Sequence, residues 1–207
     1  MESLIKYGKT LIIIVCFLFS VSLFAQEEII DAFKDSYALE KNGDYADAVK
    51  KLKSVYKADS YELNLRMGWL YYLNGQLTES SSFYNKAIAL KPYAIEPKFG
   101  LAYPISAQEK WDKIITLYND ILEIDPQNTT ANYRLGLIYY NRKNYEKASV
   151  YLEKVVNLYP FDYDSLILFA WNNFMLQKTR EARVLFNKVL MYNPGDQSAL
   201  DGLKLIK

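Results

Sequence analysis

Pro92, Pro126, Pro160 and Pro194 stand 34 residues apart, an interval that few kinds of fold produce. A fixed period of this size is what stacked supersecondary units leave behind, because each must stop its chain at the same point before the next begins. Proline suits the end of a helical unit: it lacks the amide proton and its ring clashes with the preceding turn. In a chain built by such repetition, function falls to an extended surface rather than to one catalytic pocket.

At 207 residues with 51% hydrophobic content, the chain is long enough to bury a substantial core. Its front is different in kind. Lys6 and Lys9 precede an apolar run from Leu11 to Phe24, and Ala25 stands before the polar stretch Gln26-Glu27-Glu28. This pattern reads as a secretory signal peptide over residues 1–25, cleaved after Ala25. The alternative is an uncleaved anchor, although a spanning helix wants about 20 apolar residues. Cys16, the only cysteine, lies inside the run behind bulky Ile14 and Val15, which do not resemble a lipidation site. A chain cleaved at Ala25 has no thiol and no disulfide. It also loses Lys6, Lys9 and Glu2, leaving 23 basic and 23 acidic residues interleaved along the sequence. That balance argues against nucleic acid, whose phosphates call for concentrated Lys and Arg.

One period is clearest over Asn132 to Tyr139, with Leu135, Gly136 and Tyr139, followed by Tyr145, Ala148, Leu152, Val155 and Pro160. The preceding copies carry Gly68, Tyr71, Gly75, Ser80, Tyr84, Ala87 and Pro92, then Leu101, Ala102, Trp111, Tyr118, Ile121 and Pro126. The following copy carries Phe169, Ala170, Ala182, Phe186, Val189 and Pro194. An earlier copy, with Ser36, Leu39, Gly43, Tyr45, Ala48, Leu52 and Val55, lacks the terminal proline and runs two residues short. This order of small residue, aromatic residue, small residue and proline resembles the tetratricopeptide repeat. Its physical logic is close approach: Gly136 and Ala148 allow two antiparallel helices to touch while larger side chains fill the flanks.

The resemblance implies an all-α fold, a right-handed α-solenoid of about five helix-turn-helix units near residues 29–60, 61–94, 95–128, 129–162 and 163–196. Leu200, Leu203 and Ile206, spaced by about a turn, predict a capping helix over 197–207. The tetratricopeptide domain is thus expected over 26–207. Asp162 and Thr129 are expected helix N-caps. Pro97 is harmless in an opening turn, whereas Pro104, deep in its helix, should kink or end it.

Each first helix is apolar on two sides. Successive residues advance by about 100°, so Met67, Gly68 and Tyr71 share one stripe while Leu65, Trp69 and Tyr72 form another. The second stripe holds Phe33 and Tyr37 in the first unit, Phe99 and Tyr103 in the third, Tyr133, Leu137 and Tyr140 in the fourth, and Ile167, Trp171 and Phe174 in the fifth. In the family that side lines the concave ligand groove, so the resemblance marks these thirteen residues as partner-binding. The competing reading is burial between neighbouring units. Tyr45, Tyr84, Tyr118, Tyr139 and Tyr145 occupy the family's packing sites and are expected in the core. The lysine and asparagine that clamp a chaperone's terminal carboxylate in one family branch are replaced by Phe33 with Tyr37 and Leu65 with Trp69. Arg66 and Arg134 border the stripe.

The chain has no histidine, hence neither the commonest general base nor the commonest metal ligand. No nucleophile motif or phosphate loop is present, and the carboxylates follow helix surfaces. The expected function is a non-catalytic scaffold for protein–protein interaction, holding a peptide or protein segment in an aromatic-lined groove, with no metal, no small-molecule cofactor and no nucleic acid. Its partner is expected in the cell envelope, with the protein exported to the periplasm, associated with the outer membrane, or secreted. Contact with a membrane is expected only through the signal segment or the partner. Two alternatives remain: a structural part of an envelope secretion or outer-membrane assembly complex, and an enzyme acting on cell-wall carbohydrate through paired carboxylates.

Overall fold

The computed structural model describes residues 26–206, so the signal-peptide or anchor reading of residues 1–25 lies outside the described residues. Eleven helices and no strand are found among the described residues. The chain divides into two compact units, one ending at Gln108 and the other beginning at Glu109. The division falls inside the third repeat.

The first unit contains α1 (residues 26–42), α2 (Tyr45–Lys53), α3 (Tyr61–Leu73), α4 (Leu77–Leu90) and α5 (Glu96–Ala107). α3 packs against α2, α4 and α5. Its core is built from Ala32 on α1, Ala48, Val49 and Leu52 on α2, and Leu63, Met67, Leu70 and Tyr71 on α3. Burying each of these larger side chains contributes about 1.5–3 kcal/mol. Tyr84 of α4 is buried, and its ring lies where side chains at Gly68 and Gly100 would stand. A Cβ at Gly68 would lie 2.9 Å from the ring, and one at Gly100 would overlap Cε1 and lie 2.6 Å from Cζ. Burial pushes the Tyr84 hydroxyl well above the ordinary tyrosine range, with Tyr103 and Glu96 adding to the effect.

The second unit contains α6 (Trp111–Ile124), α7 (Thr129–Asn141), α8 (Tyr145–Leu158), α9 (Tyr163–Met175), α10 (Thr179–Tyr192) and α11 (Gln197–Leu205). α7 packs on α8, α9 on α10, and α11 on both α9 and α10. Phe186 fills the place of a Cβ at Gly202, so α11 lies directly on the aromatic core of the last hairpin. Here Gly136 makes room for a side chain: a Cβ there would lie 2.6 Å from two carbons of Leu152. The close approach expected at Gly136 is therefore between a backbone and Leu152.

The short connections between successive helices share one backbone conformation. Gly43 and Gly75 have φ of 85° and 75°, and Glu109, Lys143 and Gln177 adopt φ of 56°, 59° and 60°. A left-handed residue is the cheapest way to reverse a helix in so few residues, and glycine adopts it without steric cost. The other three hold it with a Cβ, at a cost of about 1–2 kcal/mol each.

One local expectation needs correction and another is narrowed. α7 is capped by Asn128, whose Oδ1 accepts from the Ala131 amide at 3.0 Å, and Thr129 is already helical. Asn128 also donates from Nδ2 to Asp125, which fixes it in the capping position. Asp162 does cap α9, accepting from the Ser165 amide at 2.9 Å. Pro104 does not end α5, which continues through it to Ala107. It lies in the last turn, where the helix has little left to lose, and it is buried. Of the tyrosines expected in the core, Tyr84 and Tyr118 are buried, while Tyr45, Tyr139 and Tyr145 are half-buried. No described helix is long and apolar enough to cross a membrane.

Candidate functional site

In the first unit, three helices place one face each around an open groove of about 540 Å³. α1 supplies Phe33 and Tyr37, four residues apart and so on one face, with ring centroids 6.5 Å apart. α3 supplies Tyr61, Glu62, Leu65, Arg66 and Trp69, and its first turn is held by Ser60, whose Oγ accepts from the Leu63 amide at 3.2 Å. α5 supplies Glu96, Phe99, Gly100 and Tyr103, and Tyr84 reaches the groove from α4. Trp69, Tyr72 and Tyr103 meet at one end, with centroids 5.4–5.7 Å apart. Tyr37 is 57% exposed and Tyr103 50%, so their rings are open to a partner.

A polar network underlies these rings. Arg66, only 7% exposed, pairs through Nη1 with Glu40 and donates from Nε to Ser36 Oγ at 3.2 Å. Its guanidinium lies 3.8 Å from the centre of the Tyr37 ring. Trp69 Nε1 donates to the other oxygen of Glu40 at 2.8 Å, which fixes the indole. Nη2 of Arg66 is enclosed and makes no hydrogen bond, and Glu40 Oε2 faces only the Arg66 cation. Removing either charge leaves the other stranded, which costs more than the pair itself contributes.

The mouth is acidic. Glu62 accepts from Ser60 and from Lys91, the latter at 3.4 Å, and its own backbone amide at the helix start, followed by Lys91 and Ser60, holds its carboxyl below the usual range. Tyr61 donates to Glu96 Oε2 at 3.4 Å. Burial, and then the Glu96 carboxylate, raise the Tyr61 hydroxyl above its ordinary value.

Six of the thirteen expected site residues therefore line this groove: Phe33, Tyr37, Leu65, Trp69, Phe99 and Tyr103. Tyr72 joins it through ring contacts with Trp69 and Tyr103. The other six lie in the second unit. Tyr133 borders a cavity of about 390 Å³ together with Arg134, Tyr159, Asp162 and Asp164. Leu137 and Tyr140 are half-buried, with Tyr140 edge-on to Tyr145 at 5.5 Å. Ile167, Trp171 and Phe174 pack against the core of the last hairpin. Trp171 meets Phe186 at 5.1 Å and donates to Ser198 of the terminal helix at 2.8 Å.

Sequence reasoning did not find Tyr61, Glu62, Glu96 or the Glu40 partnership. A signal for two of them was present: Glu62, Glu96 and Asp164 occupy one register of the 34-residue period. Arg66 reads from sequence as a border residue, whereas it is buried beneath Tyr37. Among the described residues no group of acidic, histidine or cysteine side chains is arranged to hold a metal.

Tetratricopeptide repeat models match residues 35–95 and 106–168. The TPR repeat-containing protein YpiA of Bacillus subtilis is 28% identical over 159 residues, covering 75% of this chain and 37% of that protein. The TPR repeat-containing protein MJ1428 of Methanocaldococcus jannaschii is 32% identical over 108 residues, covering 49% and 19%. The chain thus spans well under half the length of these curated relatives. Among solved structures, a tetratricopeptide repeat protein from Parabacteroides merdae superposes with a TM-score of 0.72 at 22% identity, covering 85% of this chain and 71% of that one. MamA superposes at 0.68 with 20% identity, covering 80% and 92%. YrrB, described as a TPR protein with an unusual peptide-binding site, superposes at 0.67 with 14% identity, covering 90% and 97%. At these identities the superpositions establish a shared all-α repeat fold. Proteins of this kind are in general non-catalytic scaffolds for protein interaction. With repeat models matching on both sides of the division between its two units, the chain belongs to the tetratricopeptide repeat family.

Proposed function

We propose that this protein is an envelope scaffold that holds a segment of another protein in the groove formed by α1, α3 and α5. The observation that carries the reading is the convergence of seven aromatic or aliphatic side chains, from three helices, on one open cavity. Tyr37 and Tyr103 serve as anchors: large, stiff rings that give up little rotamer freedom when covered. The peptide-binding site named for YrrB supports the same use of the fold. The envelope setting is supported by the two lysines and apolar run before Ala25.

The test is a photo-crosslinking residue at Tyr103, followed by isolation of what it captures in the native envelope. Capture of one defined partner, abolished by Tyr37→Ala with Phe99→Ala while helical circular dichroism is retained, supports the groove. Equal capture by that variant refutes it. Fractionation tests the location, since a protein found wholly in the cytosol removes the envelope assignment.

A second reading, docking into a large envelope assembly, has one observation in its favour. On the second unit Tyr159, Phe161, Met191 and Tyr192 are all more than half exposed, and Phe161 and Tyr192 lie 6.1 Å apart. Exposed aromatic groups gathered in this way mark contact surfaces. Migration of the native protein with a large complex, released by Phe161→Ser with Tyr192→Ser, favours this reading over a free scaffold.

A further inference from the structure

The charges around the first unit's groove identify the kind of segment it accepts. Among the described residues that line it, the one cation is spent: Arg66 is paired with Glu40, its face is covered by Tyr37, and its remaining nitrogen is enclosed. The accessible charges in the lining are the carboxylates of Glu62 and Glu96, and at the mouth Glu62 already holds Lys91, itself 54% exposed. Glu62 keeps 65% of its side chain exposed, Glu96 is also exposed, and each has a polar side-chain contact as long as 3.4 Å.

The chain already shows what such an edge holds. Lys91 places its ammonium 4.1 Å from the centre of the Tyr61 ring and 3.4 Å from Glu62, so ring and carboxylate together seat a lysine. Both interactions favour a cation, one through the ring's negative face and the other through charge. In the second unit Asp164, in the register of Glu62 and Glu96, borders a cavity with Tyr133, Asp162 and Arg134. Burial raises the Tyr133 hydroxyl, with Asp164 and Asp162 adding to the shift and Arg134 opposing it.

We infer that the groove formed by α1, α3 and α5 takes a basic segment, one in which lysine or arginine side chains alternate with apolar ones. The apolar residues lie against Phe33, Leu65 and Phe99, and the cations reach Glu62 and Glu96. This assignment rests on the groove proposed above and specifies its occupant.

Three probes of similar size separate charge from shape: n-butylammonium, 1-butanol and butanoate. Each is titrated into the protein while the Trp69 indole and the Tyr61 ring are followed by NMR, with Trp171, held by Ser198, as the internal control. The expected result is that n-butylammonium binds about fivefold more tightly than 1-butanol, a factor in keeping with one cation–π contact and one exposed ion pair. Glu62→Gln with Glu96→Gln should remove that preference and leave the Trp69 spectrum otherwise unchanged. Preference for butanoate overturns the inference and assigns the groove to an acidic segment. Equal binding of ammonium and alcohol, or no binding by any probe, overturns it as well. If crosslinking from Tyr103 still captures a partner in those cases, only the basic character of the occupant is lost; if crosslinking fails too, the groove reading falls with it.

Discussion

Gly100→Ala sets two effects of opposite sign against each other. In an exposed helix the change would stabilise, because alanine exceeds glycine in helix propensity by about 1 kcal/mol. At this position the new methyl would overlap Tyr84 Cε1 and lie 2.6 Å from Cζ. The ring has little room to retreat, since it already lies against the backbone at Gly68 and is 2% exposed. Overpacking of a rigid core costs about 1–3 kcal/mol, and a ring enclosed by two helices belongs at the upper end. The clash wins, and the net expectation is a loss of about 1–2 kcal/mol. Urea unfolding followed by far-ultraviolet circular dichroism measures it, with Tyr84→Leu and the double variant completing a cycle. The double variant should cost less than the sum of the singles by at least about 1 kcal/mol, because the smaller side chain vacates the contested space. A Gly100→Ala protein that is more stable by the propensity difference, or a cycle without coupling, would refute the wedge.

Lys143→Gly and Gln177→Gly should each stabilise the protein by about 0.5–1 kcal/mol, because relief of the left-handed backbone exceeds the added freedom of the unfolded chain; a lowered denaturation midpoint contradicts this. Arg66→Met should cost about 3 kcal/mol by stranding Glu40, and adding Glu40→Gln should recover most of it, read as coupling in unfolding titrations. Asp162→Ala should cost about 1 kcal/mol through the lost cap of α9, while Thr129→Ala should cost far less because it caps nothing. Stability should fall as the pH rises above about 10: Tyr84 has a folded pKa above its unfolded value, so the folded state binds the proton more tightly and the advantage is lost once the unfolded chain ionises. Tyr84→Phe should flatten that decline, which a pH series of urea midpoints detects.

The helical period was legible because each repeat spends its small residues and prolines at the same places. Gly68, Gly136, Ala148 and Pro160 could be assigned roles before any contact was known. Turn conformation was legible only where glycine marked it: Gly75 announces a left-handed residue, and Glu109, Lys143 and Gln177 do not, since any residue can be forced there by the two helices it joins. The Asn128 cap was misread by one position because Thr129 is an equally good capping type, and only Asp125, which holds Asn128 in place, decides between them. The apolar stripe includes Tyr37, Trp69 and Tyr103, which line the groove. It could not tell them from Trp171, whose partner Ser198 comes from a helix that no repeat periodicity describes. Arg66 was the hardest residue to place, because its burial depends on Glu40 and Ser36, about one repeat earlier in the chain.

Tyr84 acts as a caliper. It spans the gap between the two glycines of α3 and α5, two of the three helices that line the groove, so the thickness of one phenol sets the spacing between them. Recognition could then be retuned by resizing this single spacer and its glycine seats, while Phe33, Tyr37, Trp69 and Tyr103 stay the same.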